Sequence, residues 1–534
     1  MGRDVANWVS MTQRPATMEE LLQYCAALEQ QVAELKAQLQ RLQEQLLLAQ
    51  KHRFGRSSER IVPGQLQFVF NEVEAEAKPE EKEPELETVG TYKRKKKRRS
   101  RSAVLEGVPT EQIHYTLPEE QQHCPQCAGR LHEMRTEVRR ELQVIPAQVK
   151  VIEHVQHLYA CRACDHGGTS TPIVKAPMPK PPIPGSYASA SAIAHVINEK
   201  YVQGVPLYRQ EQELRRLGVG LSRQTLANWT LEATERHLAL VYDHLHRELL
   251  KRDILQADET TVQVLQEPDR AAQTPSYMWL YRTGRDGPPI VLFDYQQTRS
   301  GQHPVEFLSG FSGYLQVDGY AGYEKIPHVT LVGCWAHARR GFVEALAVLP
   351  KEERTSGTSA TAKGLAYCNR LFEIERELKE LSPEERKAER LARSVPVLHE
   401  FHAWLTKQST IMLPKSAFGK AVTYCLNQWD KLQGYLLDGR LEIDNNRAER
   451  AIKPFVIGRK NWLFSNTPRG AKTSAILYSI VETAKENGLK PFDYITYLLE
   501  RMPNLDLGEP GVLEPLMPWS DSLPAACKML RKPA

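Results

Sequence analysis

The sequence predicts an α/β protein: a ribonuclease-H-like core with an all-helical insertion, preceded by a coiled coil and a zinc-ribbon-like module. Three patterns carry that prediction. Residues 254–335 alternate as five strands with a helix after the third, and acidic residues fall on the first strand and at the end of the fourth. Leucines recur every seven residues near the amino terminus, and two Cys-x-x-Cys knuckles lie between these regions. At 534 residues the chain exceeds what one hydrophobic core supports, so three or four domains are expected.

The coiled coil comes first, in residues 1–60. Leu21, Leu28, Leu35 and Leu42 are seven apart, Cys25, Val32, Leu39 and Leu46 fill the second apolar position, and neither Gly nor Pro occurs from Met18 to Gln50. This seam is narrower than the stripe a globular helix buries, which favours association into a homo-oligomer, at least a dimer. Residues 61–109 read as a charged, disordered linker. Glu72 to Glu87 holds eight acidic residues, and Lys93, Arg94, Lys95, Lys96, Lys97, Arg98, Arg99 and Arg101 place eight basic residues in nine positions. The basic half is dense enough to neutralise several phosphates and add sequence-independent affinity for DNA, which the net charge of +5 alone would not reveal.

Residues 110–170 form a cysteine module. Cys124 and Cys127 are separated by 33 residues from Cys161 and Cys164. Each pair can present two thiolates to one tetrahedral ion, and together they close a structural Zn2+ site with no open position for catalysis. His123, His154, His157 and His166 are close enough in sequence that one can replace a thiolate. The stretch ELQVIPAQVKVIEHVQHLYAC alternates like a β hairpin between the knuckles. Arg130, Arg135, Arg139 and Arg140 surround the module, which is read as facing DNA. The other five of nine cysteines are scattered, which speaks against a disulfide framework.

Residues 171–185 hold PIVKAPMPKPPIP, an extended spacer, and residues 186–252 read as helical. Within them LYRQEQELRRLGVGLSRQTLANW suggests a helix-turn-helix: one helix ends near Gly218, and Ser222 caps a second that carries Arg223, Gln224, Thr225 and Asn228. Those residue types reach phosphates and base edges.

The catalytic core is expected over residues 253–474. Strands are predicted in ILQADETTVQVL, YMWLYRT, PIVLFDY, GYLQVDGY and VTLVGCW, with a helix in PVEFLSGF. In a ribonuclease-H-like order the first and fourth strands are neighbours, so Asp258 and Asp318 would face one another. Carboxylates so arranged can hold two Mg2+ (or Mn2+) ions, since oxygen ligands select these over zinc. A third acid is offered by LEIDNNRAERAIKP, where Asp444 or Asn445 can cap a helix and Glu449 sits about one turn inside. Arg447, Arg450 and Lys453 flank it, and Arg459 and Lys460 follow, as candidate DNA contacts. The 130 residues between Asp318 and Glu449 are mostly helix-compatible, giving an insertion at about 345–440. At its start Cys334 and His337 form a Cys-x-x-His pair, read as packing or phosphate positioning rather than a metal site.

Several longer strings bear on this reading: FGRSSER, HCPQCAGRL, QADETTVQV, VDGYAGY, CWAHARRGF and DNNRAERAIKPFVIGRKNWLFSNTPRGA. Through them the chain resembles transposases of the insertion sequence 66 family over nearly its whole length. The resemblance implies a leucine zipper, a zinc-finger-like module, a DDE catalytic domain with a helical insertion, and a carboxy-terminal domain in residues 475–534. It implies cleavage and strand transfer of DNA at terminal inverted repeats, with Asp258, Asp318 and Glu449 as the matching acids. It also brings Cys334 and His337 into the active-site region, and accessory proteins encoded by the same element as partners. SNTPRGAK, residues 465–472, is less glycine-rich than the usual family segment.

Two other classes share these features: a catalytically inactive DNA-binding regulator, and a nuclease of the same fold that cleaves without joining. The intact acids disfavour the first. No run approaches the ~18 apolar residues of a membrane span, and Met1 to Thr17 lacks a secretory core, so the expected location is cytoplasmic, with the nucleoid when DNA-bound.

Overall fold

The computed structural model describes residues 148–160 and 173–529, apart from 351, 352, 355 and 356, together with Met18, Leu28, Glu29, Val32 and Leu35. Most of the predicted zipper, the charged linker, the basic run from Lys93 to Arg101 and all four knuckle cysteines lie outside the described residues. Leu28, Val32 and Leu35 are helical and exposed. The chain divides into two units: one of residues 1–70, 179–212 and 221–528, the other of residues 71–178, 213–220 and 529–534.

In the second unit, β1 (Leu158–Ala160) pairs antiparallel with β2 (Ile173–Lys175). This corrects the hairpin expected between the knuckles. Of its described part, residues 148–157 form no strand, and the pairing runs instead to the far side of the second knuckle. The alternation was real, but strand partners are chosen by contacts in space that periodicity does not encode.

The helices that follow are α1 (Ala190–Tyr201), α2 (Leu207–Arg216), whose residues 213–216 belong to the second unit, and α3 (Arg223–Ala233). The predicted turn appears between the last two: Gly218 has φ +84°, and the Ser222 hydroxyl accepts from the Thr225 amide at 3.2 Å to cap α3. Leu226, Trp229, Thr230 and Ala233 bury one face of α3, leaving Arg223, Gln224 and Asn228 exposed. A π-helical turn at Thr234–Leu238 joins α3 to α4 (Ala239–Leu250).

Five strands follow: β3 (Ile254–Gln263), β4 (Pro275–Thr283), β5 (Val291–Gln296), β6 (Gly313–Gln316) and β7 (Val329–Val332), with α5 (Gln302–Phe307) after the third of them. They form one mixed sheet in the order β5-β4-β3-β6-β7. The first three strands are antiparallel, whereas β3–β6 and β6–β7 are parallel. The first and fourth strands of the sheet are therefore neighbours, as the sequence order required.

Both edges of the sheet are covered. Helix α12 (Pro468–Glu486) lies against β5, where Ser479 and Thr483 hydroxyls accept from the Phe293 and Val291 amides at 2.7 and 3.0 Å. Unpaired edge amides are thus satisfied rather than left as a template for another strand. Beyond β7, the Gly333 amide donates to Lys431 O at 2.8 Å.

The insertion comprises α6 (Trp335–Ala347), α7 (Ala360–Glu377), α8 (Pro383–Ile411), α9 (Ala417–Asn427) and α10 (Trp429–Gln433). Ser382 and Glu385 form a capping box at the start of α8, with Pro383 in the first turn, where its missing amide costs nothing. Trp335, Phe342, Leu371, Phe401, Leu405 and Leu432 are fully buried in one apolar cluster. Arg390 is buried against Glu375 at 2.6 Å and also donates to three backbone carbonyls, so its charge is fully satisfied. Helix α11 (Asn446–Trp462) returns the chain to the sheet, and α13 (Pro491–Arg501) follows α12. Ala475, where a carboxy-terminal domain was expected to begin, lies inside α12. Before α12, Ser465 and Asn466 extend the pairing of β3 through carbonyls that accept from Leu265 and Gln266 at 3.0 and 2.9 Å, and Thr467 caps the helix.

Candidate active site

Asp258 lies midway along β3, the central strand, and Asp318 lies two residues past the end of β6, its parallel neighbour. Each acid is oriented by a local backbone bond. Asp258 Oδ1 accepts from the Glu259 amide at 2.8 Å, and Asp318 Oδ1 from the Tyr320 amide at 2.9 Å. Burial holds the Asp258 carboxyl well above its ordinary range, and the charges of Glu259, Glu449 and Asp318 push the same way. The charges of Asp318 and Glu449 thus both reach Asp258.

Glu449 arrives in the first turn of α11, whose approach to the sheet is set by the preceding segment. Asn445 occupies the cap position, yet its side chain makes no capping bond. Instead Nδ2 donates to Ala257 O at 2.8 Å, and its own amide donates to Cys334 Sγ at 3.1 Å. Asp444 Oδ1 accepts from the Asn446 amide at 3.0 Å, so of the two proposed caps Asp444 bonds the helix start and Asn445 binds the sheet.

Three residues upstream, Glu442 completes the junction. Its carboxylate accepts from Gln256 at 3.2 Å and from Arg447 at 3.2 Å, and it is paired with Arg285. Gln316 donates to Glu442 O at 2.6 Å, and Gln256 donates to Gln316 at 3.1 Å. Burial alone would raise the Glu442 carboxyl, but Arg447 and Arg285 outweigh it and hold it down at about 2. Gln256 and Gln316 sit two residues before Asp258 and Asp318, so the strands that carry two acids also grip the segment that delivers the third.

The remaining predicted residues separate into groups. Arg447 is tied to Glu442 and points into this junction, while Arg450 and Lys460 are exposed on α11. Lys453 is half-buried there, and burial lowers its ammonium. Arg459 is packed on β3, donating to Thr260 Oγ1 at 3.1 Å and to Thr261 O. Cys334 is buried at the start of α6, and burial pushes its thiol up to about 12, which makes it a poor thiolate donor. His337 Nδ1 lies 3.8 Å from Glu449 Oε1, and burial and the Arg340 charge lower its imidazole. Ligand atoms of Cys334, His337 and Glu449 lie within 4.8 Å of one another.

Besides Glu442, sequence reasoning missed four groups here. Arg340 reaches Glu449 Oε2 at 3.5 Å, one helical turn beyond His337 on α6. Glu259 is held beside Asp258 by Arg299 and by the Tyr323 hydroxyl at 2.6 Å. Gln256 and Gln316 are buried polar residues whose role nothing in the sequence marked.

Comparison with known proteins gives the class and then the family. A model described as "Transposase IS66 family" matches residues 185–473, and one described as "zinc-finger binding domain of transposase IS66" matches residues 121–165. An "IS66 C-terminal element" matches residues 479–519, and "Transposase C of IS166 homeodomain" matches residues 41–113. These matches place the molecule among the transposases with a DDE-type domain, which implies use of a divalent metal, and the finger suggests zinc. Three proteins of Sinorhizobium fredii (strain NBRC 101917 / NGR234), each described as uncharacterized, are similar to it. Protein y4qI is 30% identical over 96% of this chain and 95% of its own length, y4hP 32% over 74% and 73%, and y4jD 30% over 75% and 78%. The chain belongs to the IS66 transposase family.

Proposed function

We propose that this chain binds the terminal inverted repeats of an insertion sequence and catalyses metal-dependent cleavage and strand transfer of DNA. Asp258, Asp318 and Glu449 are the catalytic acids of a ribonuclease-H-like core. The observation that carries the reading is the junction at residues 442–445, which fastens the start of α11 to the two strands bearing the aspartates.

The donor set suits Mg2+ or Mn2+. It consists of carboxylates, with Asp258 held protonated more readily by burial and by the neighbouring acidic charges, and Glu449 Oε1 is buried without a hydrogen-bond partner among the described residues. Two such ions would supply activation of the attacking oxygen and stabilisation of the leaving oxygen. The protein's own residues fix the geometry. Asn445 and Glu442 hold α11 against β3 and β6, and Arg340 steadies the Glu449 carboxylate. Arg450, Lys453 and Lys460 on α11, and Arg223 and Gln224 on α3, are the proposed contacts to DNA phosphates and bases. The Cys124, Cys127, Cys161 and Cys164 thiolates hold one structural zinc, and residues 1–60 pair the protomers.

Incubation of the protein with end-containing DNA, Mg2+ and a target plasmid tests this. Joined products are expected. Nicks alone would assign a nuclease, and binding without cleavage a regulator.

A further inference from the structure

Away from the three acids, α4 carries a second polar cluster. His244 and Glu248 are four residues apart, so both lie on one side of the helix. Glu514, the first residue of the short helix Glu514–Leu516, comes to meet them from the carboxy-terminal segment. Ligand atoms of the three lie within 4.8 Å of one another. They sit in a cleft of about 440 Å³ whose other wall is the stretch from Leu507 to Leu513.

The imidazole is the telling group. His244 is only 8% exposed, and its Nε2 is buried without a hydrogen-bond partner among the described residues. It points at Glu514 Oε1 from 3.4 Å. Both atoms are within reach of one ion with bonds of ~2.0–2.1 Å. Glu248 Oε1 is held by Lys251 Nζ at 2.5 Å, but that lysine is largely exposed and the pair is weak enough for a cation to displace.

We propose that His244, Glu248 and Glu514 form a zinc site, with one imidazole nitrogen, two carboxylates and a water completing four-coordination. An imidazole ligand favours a borderline ion over magnesium. The site ties the segment after α13 to α4, across the cleft, and so acts as a removable fastening for the carboxy-terminal element. It shares no residue with the cysteine module or with the acids on the sheet.

The test counts metal in the full-length protein, stripped with a chelator and re-equilibrated with Zn2+. Wild type is expected to bind one zinc more per chain than Glu514→Gln or His244→Asn. Glu514 is exposed, so its variant is the decisive one. Cys124→Ser should leave the Glu514-dependent zinc in place, and Lys251→Ala, by removing the competing cation, should tighten it several-fold. Equal zinc counts in wild type and Glu514→Gln would overturn the proposal.

Discussion

Two regions deliver Glu449 to the sheet, and they work by different physics. The helical insertion is held by apolar burial around Trp335, Phe342 and Phe401, whereas the junction at residues 442–445 is held by hydrogen bonds and ion pairs to Gln256, Ala257 and Gln316. Apolar packing is tolerant of direction and sets how stable the insertion is. Hydrogen bonds are directional and set where the carboxylate points. Damage to the first region should therefore cost stability, and damage to the second should cost activity beyond any loss of stability.

The largest effect tests the reference point of that comparison. Asp258→Asn is expected to lower DNA cleavage by about a thousandfold or more while leaving end binding unchanged. Cleavage and gel-shift assays on the same preparation check it, and retained cleavage would remove the residue from the mechanism. Phe401→Ala comes next, with an expected loss of ~3–5 kcal/mol from the cavity left among fully buried rings. Denaturant unfolding should register it, and activity per folded molecule should stay near wild type. A large drop in specific activity would erase the distinction between the regions.

Acid titration sharpens the polar side. Glu442 falls from its ordinary value near 4.5 to about 2 in the folded chain. A depressed carboxyl contributes stability fully above the unfolded value, and that contribution disappears as pH falls from about 4.5 through about 2. Its size is on the order of 3 kcal/mol. Glu442→Gln should flatten this stretch of the stability–pH curve, and an unchanged slope would detach the group from the junction. The smallest stability change is expected for Asn445→Ala, ~1–3 kcal/mol from the lost bond and the unpaired Ala257 carbonyl. Its cleavage rate should nevertheless drop more than that of Phe401→Ala, measured on folded protein.

The same contrast explains what could be read before any coordinates. Strand alternation placed all five strands of the sheet, and helix compatibility placed the insertion, because both follow from which face each residue buries. Asp258 and Asp318 were singled out because the expected strand order makes the first and fourth strands neighbours, and β3 and β6 do pair. The junction was not found. Nothing in the spacing of Gln256, Gln316 and Glu442 reveals that their side chains meet, and Asn445 was read as a helix cap because that is what an asparagine before a helix usually does. The hairpin between the knuckles failed for a related reason: alternation near Leu158 identified strand character but not the partner, which turned out to be Ile173–Lys175.

Whether three distant carboxylates hold metal together on DNA is decided by a crystal of the full chain with end DNA and Mn2+, read by anomalous scattering. Manganese peaks held by Asp258, Asp318 and Glu449 beside a scissile phosphate are expected. Peaks that touch neither aspartate, or a Glu449 turned away from the metal in the DNA-bound assembly, would contradict that arrangement.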